Sequence, residues 1–513
     1  MSKKAPPPIN LRAKAHTVLL EINVRVLLEE LSLSLARPVT LGTIPEALLE
    51  EWKGYGIDAL WLMGVWSPGP RGIAIARQDE GLRAAYRGAL PDLSDADIGG
   101  SPYAIHAYEI PESLGGVQGL ALLRTRLAER GIGVVLDFVP NHTACDHAWV
   151  HDHPEYYVQG KEGEEVSRPD LFFRAETVNG PLTIAMGRDP SFAGWTDTAQ
   201  INVTRPEARR AMTELMVRIA AMCDGVRCDM AMLVLNGVFA RTWGGHAPAE
   251  GETPAPGEFW TEAIGAVRSF HPDHLFIAEA YWNMEWDLQQ LGFDYTYDKT
   301  LFDRLLREGA GSVRDHLRAE MEYQRHSLRF IENHDEQRAA SSLTSEPWLF
   351  AAATVIATVP GMVMFHEGQF EGRKVKIPVQ LTRRPREDVA RRTKAFYSRL
   401  LNVIASPPFR QGAWRLLMPR GAWHENYTWG NFLIFWWHAP SAGTRLVVIN
   451  YAPLSGQCYV DLPLDDLQGG SIELRDLLGE ATYVRDRNGL ASKGIYFDLQ
   501  PYGIHIFDVS ATA

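Results

Sequence analysis

Phe330-Ile331-Glu332-Asn333-His334-Asp335 closes an apolar run that begins at Ser327, and it sets a His-Asp pair where a strand would give out. Barrel enzymes keep their chemistry at the carboxyl ends of parallel strands. Three earlier stretches have the same build: Val134-Val135-Leu136-Asp137-Phe138-Val139-Pro140-Asn141-His142, Gly225-Val226-Arg227-Cys228-Asp229 and Leu275-Phe276-Ile277-Ala278-Glu279. One carboxylate after a buried strand reads as a helix cap or as the partner of a nearby arginine. Four such strand ends in order can line one pocket. The steps from Asp229 to Glu279 and from Glu279 to Asp335 suit consecutive or near-consecutive βα units. The step from Asp137 to Asp229 is too long for a single crossover helix and implies an inserted subdomain.

The sequence therefore reads as an α/β chain built on a (β/α)8 barrel, with an insertion after strand three and a C-terminal antiparallel β-sandwich. Thr17 to Val26 reads as the first strand, Ile57 to Val65 as the second and Gly131 to Val139 as the third. Phe293 to Tyr297 and Gly361 to His366 supply the sixth and eighth. Ala5 to Pro8 is a loose lead-in. After about Ser406 the pattern turns to short β-rich segments, Asn431 to Trp437, Thr444 to Ile449, Ser471 to Leu474 and Gly494 to Leu499, with Gly, Pro and Asp between them. The expected division is 1–140 for the first part of the barrel, 141–200 for the inserted domain, 201–405 for the rest of the barrel and 406–513 for the sandwich.

With 513 residues, 46% hydrophobic and 22% charged, the chain buries a large core and is not disordered. A net charge of −12 with no basic cluster argues against nucleic acid or an anionic membrane as a partner. A neutral sugar fits better, and fifteen Trp and seventeen Tyr suit carbohydrate stacking, though aromatic content discriminates weakly. Cys145, Cys223, Cys228 and Cys458 lack metal-ligand spacing and read as free thiols. Met1 to Asn10 has no apolar signal-type core, and no stretch has the length of a membrane span, so the cytoplasm is expected. Oligomeric state is not readable.

The four strand ends resemble, in order, the four short conserved regions of glycoside hydrolase family 13, the α-amylase family. The likeness runs from roughly Thr17 to the C-terminus. It implies that Asp229 is the nucleophile, with Arg227 two residues before it, and that Glu279 is the general acid/base. Asp335, with His334 beside it, grips sugar hydroxyls and stabilises the transition state. Asp137, Asn141 and His142 match the first region, in which the His contacts the sugar and the Asn often ligates calcium. No other cofactor is implied. Gly100-Ser101-Pro102-Tyr103-Ala104-Ile105 resembles the stretch that sets a Tyr under the sugar ring, and Trp195 to Asn202 resembles a weaker fifth motif.

The residue types suit the chemistry. Cleavage with retention takes one carboxylate as nucleophile and one carboxylic acid as proton donor, passing through an oxocarbenium-like transition state. Arg227 on the same strand face should hold Asp229 ionised, and the apolar and aromatic run Ala280-Tyr281-Trp282 should keep Glu279 protonated. Many amylases carry Lys-His three and four residues after the nucleophile; Met232-Leu233 stand here, which removes a charge and a hydrogen-bonding ring from the acceptor side. Glu336 and Arg338 either bind substrate or pair within the protein. The expected activity is a retaining glycosidase acting on α-glucosidic bonds of short oligosaccharides through a covalent glycosyl-enzyme. An α-glucosyltransferase or sugar isomerase using the same chemistry is the alternative. A catalytically dead binding protein is the third reading, against which all three carboxylates are present.

Overall fold

The computed structural model describes residues 9–248 and 256–512. Eight parallel strands close into a barrel: β1 (Val18–Asn23), β2 (Ala59–Met63), β3 (Gly133–Phe138), β4 (Gly225–Cys228), β5 (Leu275–Ala278), β6 (Tyr295–Tyr297), β7 (Ser327–Arg329) and β8 (Met362–His366). These strands are apolar on both faces because alternate residues fill the lumen and the rest meet the surrounding helices. Leu19 of β1 packs in the lumen with Trp61 of β2, Val135 of β3 and Ile277 of β5. Leu20 and Ile22 pack outward. Carried on past Leu19, Val135 and Ile277, the alternation puts Glu21, Asp137 and Glu279 on the lumen side; on β4, where Val226 and Cys228 pack outward, it does the same for Arg227 and Asp229.

The barrel strands are shorter than the sequence suggests, and in two of them a hydrogen-bonded turn shows why. The first ends at Asn23, whose side-chain oxygen accepts the Val26 N–H at 3.3 Å and starts the helix Val24–Leu35. The seventh ends at Arg329 because Asn333 Oδ1 accepts the N–H groups of Asp335 and Glu336 at 2.9 and 2.8 Å. That turn lifts His334 and Asp335 out of the ladder.

The insertion after β3 is tied at its neck by antiparallel pairing of His142–Ala144 with Thr198–Gln200, and it contains the hairpin Phe172–Thr177 with Gly180–Ala185. A second excursion, between β2 and β3, carries the helices Pro70–Gln78 and Glu80–Ala89 and then Tyr103. The C-terminal region is a sandwich of a six-stranded and a three-stranded antiparallel sheet. On the strand Phe432–Ala439, residues Phe432, Ile434 and Trp436 pack between the sheets. Leu433, Phe435 and Trp437 turn the other way and join the core of the barrel's helix layer. Trp437 Nε1 donates to the Thr358 carbonyl at 2.7 Å, and Arg314 donates to the Phe432 carbonyl at the same distance.

All four cysteines are free and buried, and Cys228 points outward from the barrel. Among the described residues no helix is long and apolar enough to cross a membrane. The lead-in Ala5 to Pro8 lies outside the described residues.

Candidate active site

Arg227 stands at the centre of the site, fully buried, with its guanidinium in contact with three acids from three strand ends. Its Nη1 lies 2.8 Å from Asp229 Oδ1 and 3.4 Å from Asp137 Oδ1. Its Nη2 lies 2.8 Å from Glu279 Oε2, an ion pair without the alignment of a hydrogen bond. Asp229 and Glu279 thus flank one guanidinium. Tyr297 receives the remaining N–H at 3.3 Å, and the rings of Trp61 and Tyr103 pack against the cation with centroids 4.9 and 5.4 Å away.

Burial pushes the Glu279 carboxyl up to about 7; Arg227 opposes the shift, and Asp229 and Asp335 add to it. Two further groups fix this side chain. Met230 N–H donates to Oε2 at 2.6 Å and the Tyr281 hydroxyl donates to Oε1 at 3.0 Å. Met230 reaches that position with a left-handed backbone, φ 39°. Such strain in a non-glycine residue persists only where the surroundings hold it. The aromatic setting expected around Glu279 is supplied by Tyr281, whereas Trp282 is 43% exposed.

Arg227 does not keep Asp229 low. Burial raises the Asp229 carboxyl, and Asp137 and Asp335 add to the push that Arg227 opposes. The physical reason is burial first, which the single positive charge of Arg227, shared with Asp137 and Glu279, does not offset. Asp137 is raised to about 6, by burial first, although Trp61 Nε1 donates to its Oδ2 at 3.0 Å. Asp335 behaves differently. Its side chain is 48% exposed at the pocket mouth. Crowding by the surrounding walls would raise it, but His334, Arg227 and Lys376 carry it below the ordinary carboxylate range.

His334 Nε2 lies 3.0 Å from Asp335 Oδ2 and 2.7 Å from the Tyr103 hydroxyl, and the two rings stack with centroids 5.2 Å apart. His142 is buried and brought down to about 4, by burial first, so it is neutral at pH 7; it packs on Trp195 of the insertion at 5.1 Å. A pocket of about 520 Å3 opens over His334 and Asp335, walled by Ala85 and Ala89 of the helix Glu80–Ala89 and by Val375 and Lys376.

Asn141 lies at the neck of the insertion. Gln200 Nε2 donates to Asn141 Oδ1, to the Asn141 carbonyl and to the Ile201 carbonyl at 2.9, 2.8 and 3.0 Å. Three oxygens thus converge on an amide nitrogen where calcium would need them. Among the described residues no group of three or more His, Cys, Asp or Glu is placed to hold a metal ion. This donor set does not fit calcium.

Met232 and Leu233 do not border the acceptor side. They lie in the core, 0% and 3% exposed, because the left-handed turn at Met230 folds Ala231–Val234 inward. Glu336 and Arg338 both pair within the protein. Arg338 Nη1 contacts Glu332 and His366 at 2.8 Å, and Glu336 contacts Lys299 at 3.2 Å. Sequence reasoning missed Glu21, Trp61, Tyr297 and Lys376. An acid inside the apolar run Val18-Leu19-Leu20-Glu21-Ile22 was a usable signal for the first. Nothing local marks Lys376.

A closed parallel barrel whose strand ends bring carboxyl groups onto one buried arginine is the frame of a barrel enzyme with paired-carboxylate chemistry. The sequence model for the α-amylase catalytic domain matches residues 49–390. The chain belongs to the α-amylase family, glycoside hydrolase family 13, whose members are glycosidases or transglycosidases. It is 25% identical over 276 residues to the α-amylase MalA of Haloarcula japonica, a stretch covering 52% of this chain and 36% of that protein. It is 27% identical over 272 residues to the α-1,4-glucan:maltose-1-phosphate maltosyltransferase of Rhodospirillum rubrum, covering 51% and 32%. The matched stretch spans about a third of the length of these two curated relatives. The crystal structure of the maltogenic α-amylase AmyB from Thermotoga neapolitana superposes with a TM-score of 0.67 at 20% identity, covering 98% of this chain and 100% of that one. That likeness shows the fold.

Proposed function

We propose that this chain is a retaining enzyme that acts on α-glucosidic bonds of short oligosaccharides through a covalent glycosyl-enzyme. The observation that carries the reading is the pair Asp229 and Glu279 on either side of Arg227, with Glu279 titrating near 7. Below that pH Glu279 carries the proton that the leaving oxygen needs. Asp229 attacks the anomeric carbon as Glu279 gives up its proton, and Glu279 then takes a proton from the water or sugar hydroxyl that releases the product. Asp335 and the neutral His142 bind ring hydroxyls more tightly as the ring flattens and gains charge. Tyr103 supports the ring from below.

Transfer to a second sugar is the other reading, favoured by the relative named as a maltosyltransferase. One experiment separates the two. The purified protein is incubated with maltose, maltotriose to maltoheptaose, isomaltose, trehalose, sucrose and starch, and the products are resolved over time. Shorter sugars alone mean hydrolysis, longer or rearranged sugars mean transfer, and no change in any sugar sinks both readings.

Calcium has no part in this proposal. Dialysis against a chelator is expected to leave the melting temperature within about 1 °C of its starting value, since no bound ion would be withdrawn from the native state. A fall of several degrees, reversed by calcium, would put a metal at the neck of the insertion.

A further inference from the structure

Glu21 lies on β1 with no exposed surface, its side chain in the barrel lumen. Its Oε1 is 2.5 Å from His334 Nδ1, and its Oε2 has no hydrogen-bond partner. A buried carboxylate with one oxygen unpartnered is costly, whereas an apolar residue here would pack as Leu19 does two positions earlier. Because a carboxylate only accepts, the Nδ1 that faces it carries a hydrogen. The opposite edge of the ring, at Nε2, meets Asp335 and the Tyr103 hydroxyl at 3.0 and 2.7 Å. Trp61 meets the ring edge-on with centroids 5.5 Å apart, so the imidazole is held on several sides.

We propose that Glu21 is a positioning residue for the reaction. Through His334 Nδ1 it fixes the imidazole, whose Nε2 edge holds the Tyr103 hydroxyl by a hydrogen bond and Asp335 by an ion pair, and so it sets the placement of Asp335 as the sugar ring gains positive charge. The inference rests on the α-glucoside reading of the site. Carboxylates on both edges favour the doubly protonated ring, and burial, which alone would lower His334, is outweighed by Asp335 and Glu21. Asp137 from β3 and His366 from β8 also face this region. His366 is brought down to about 3 by burial and by Arg338, so it adds no charge at neutral pH.

Glu21→Gln keeps the shape and removes the charge. The ring nitrogens of His334 are followed by 15N NMR, with the signal assigned by its loss in His334→Gln. In the native protein the ring is expected to stay doubly protonated through neutral pH, and in Glu21→Gln its midpoint is expected to fall by about one pH unit or more. On the best substrate of the panel, kcat is expected to fall about tenfold or more while KM changes less than about threefold, since the interaction acts through the transition state. A native His334 midpoint near that of a free histidine overturns the coupling, even if the variant does not fold. An unchanged midpoint in Glu21→Gln does the same, and a shifted midpoint with unchanged kcat overturns the positioning role. Failure of the α-glucoside reading is separately visible, as a native protein inactive on every sugar of the panel while the midpoint still shifts.

Discussion

Replacing Asp229 with Asn is expected to lower kcat on α-glucosides by on the order of 10^4-fold or more, since loss of an attacking group removes the covalent route altogether. Folding should be retained. Burial already raises the Asp229 carboxyl, so a neutral amide of the same size is tolerated there, and the Arg227 charge keeps Asp137 and Glu279 as partners. Binding of a substrate or inhibitor, read by calorimetry, should stay within about tenfold of the native value, a difference of about 1.4 kcal/mol. A slow-reacting fluoroglycoside should leave its sugar on the peptide that contains Asp229 in the native protein and on no peptide of the variant. Activity above a few per cent in Asp229→Asn, or a label on another carboxylate, would remove Asp229 from the nucleophile's role.

The second large effect concerns Glu279. Glu279→Gln is expected to slow cleavage of natural α-glucosides by about 10^2 to 10^4-fold, the range general acid–base catalysis supplies. Glucosides whose leaving group departs without a proton should lose much less in the first step. Added azide should then restore turnover and give a glucosyl azide of retained configuration, because azide needs no general base. The sign of the pH dependence follows from the raised carboxyl. Glu279 is protonated below about 7 and loses its proton above, so kcat/KM of the native protein should decline as pH rises through that value. In Glu279→Gln that decline should vanish. If it persists unchanged, another group is the acid.

Much of the site was legible because residues two apart on a strand face the same way. Arg227 and Asp229 share the lumen for that reason, and Cys228 between them does not. The same rule applied to Val18-Leu19-Leu20-Glu21 would have found Glu21, since Leu19 is a lumen residue. Other features had no local signature. Lys376 reaches the Asp335 carbonyl from the segment after β8. The helix Glu80–Ala89 walls the pocket from an excursion whose course the strand pattern does not specify. The pull of Arg227 on Asp229 was overrated because burial, which raises that carboxyl most, is set by the closed barrel, which also brings Asp137 and Glu279 to the same guanidinium. Met232 and Leu233 show a different limit. Position in a motif says where the chain is, while the left-handed turn at Met230 decides which way the side chains face.

The two-faced strand Phe432–Ala439 bears on how this protein could be rebuilt. Leu433, Phe435, Trp437, Val447 and Ile449 belong to the same apolar cluster as the barrel's outer helices. A chain shortened to its barrel would bring that whole interface into water, a patch of the kind that drives aggregation. The C-terminal layers are therefore an outer wall of the catalytic body, and a graft of this barrel into another scaffold would have to carry them along.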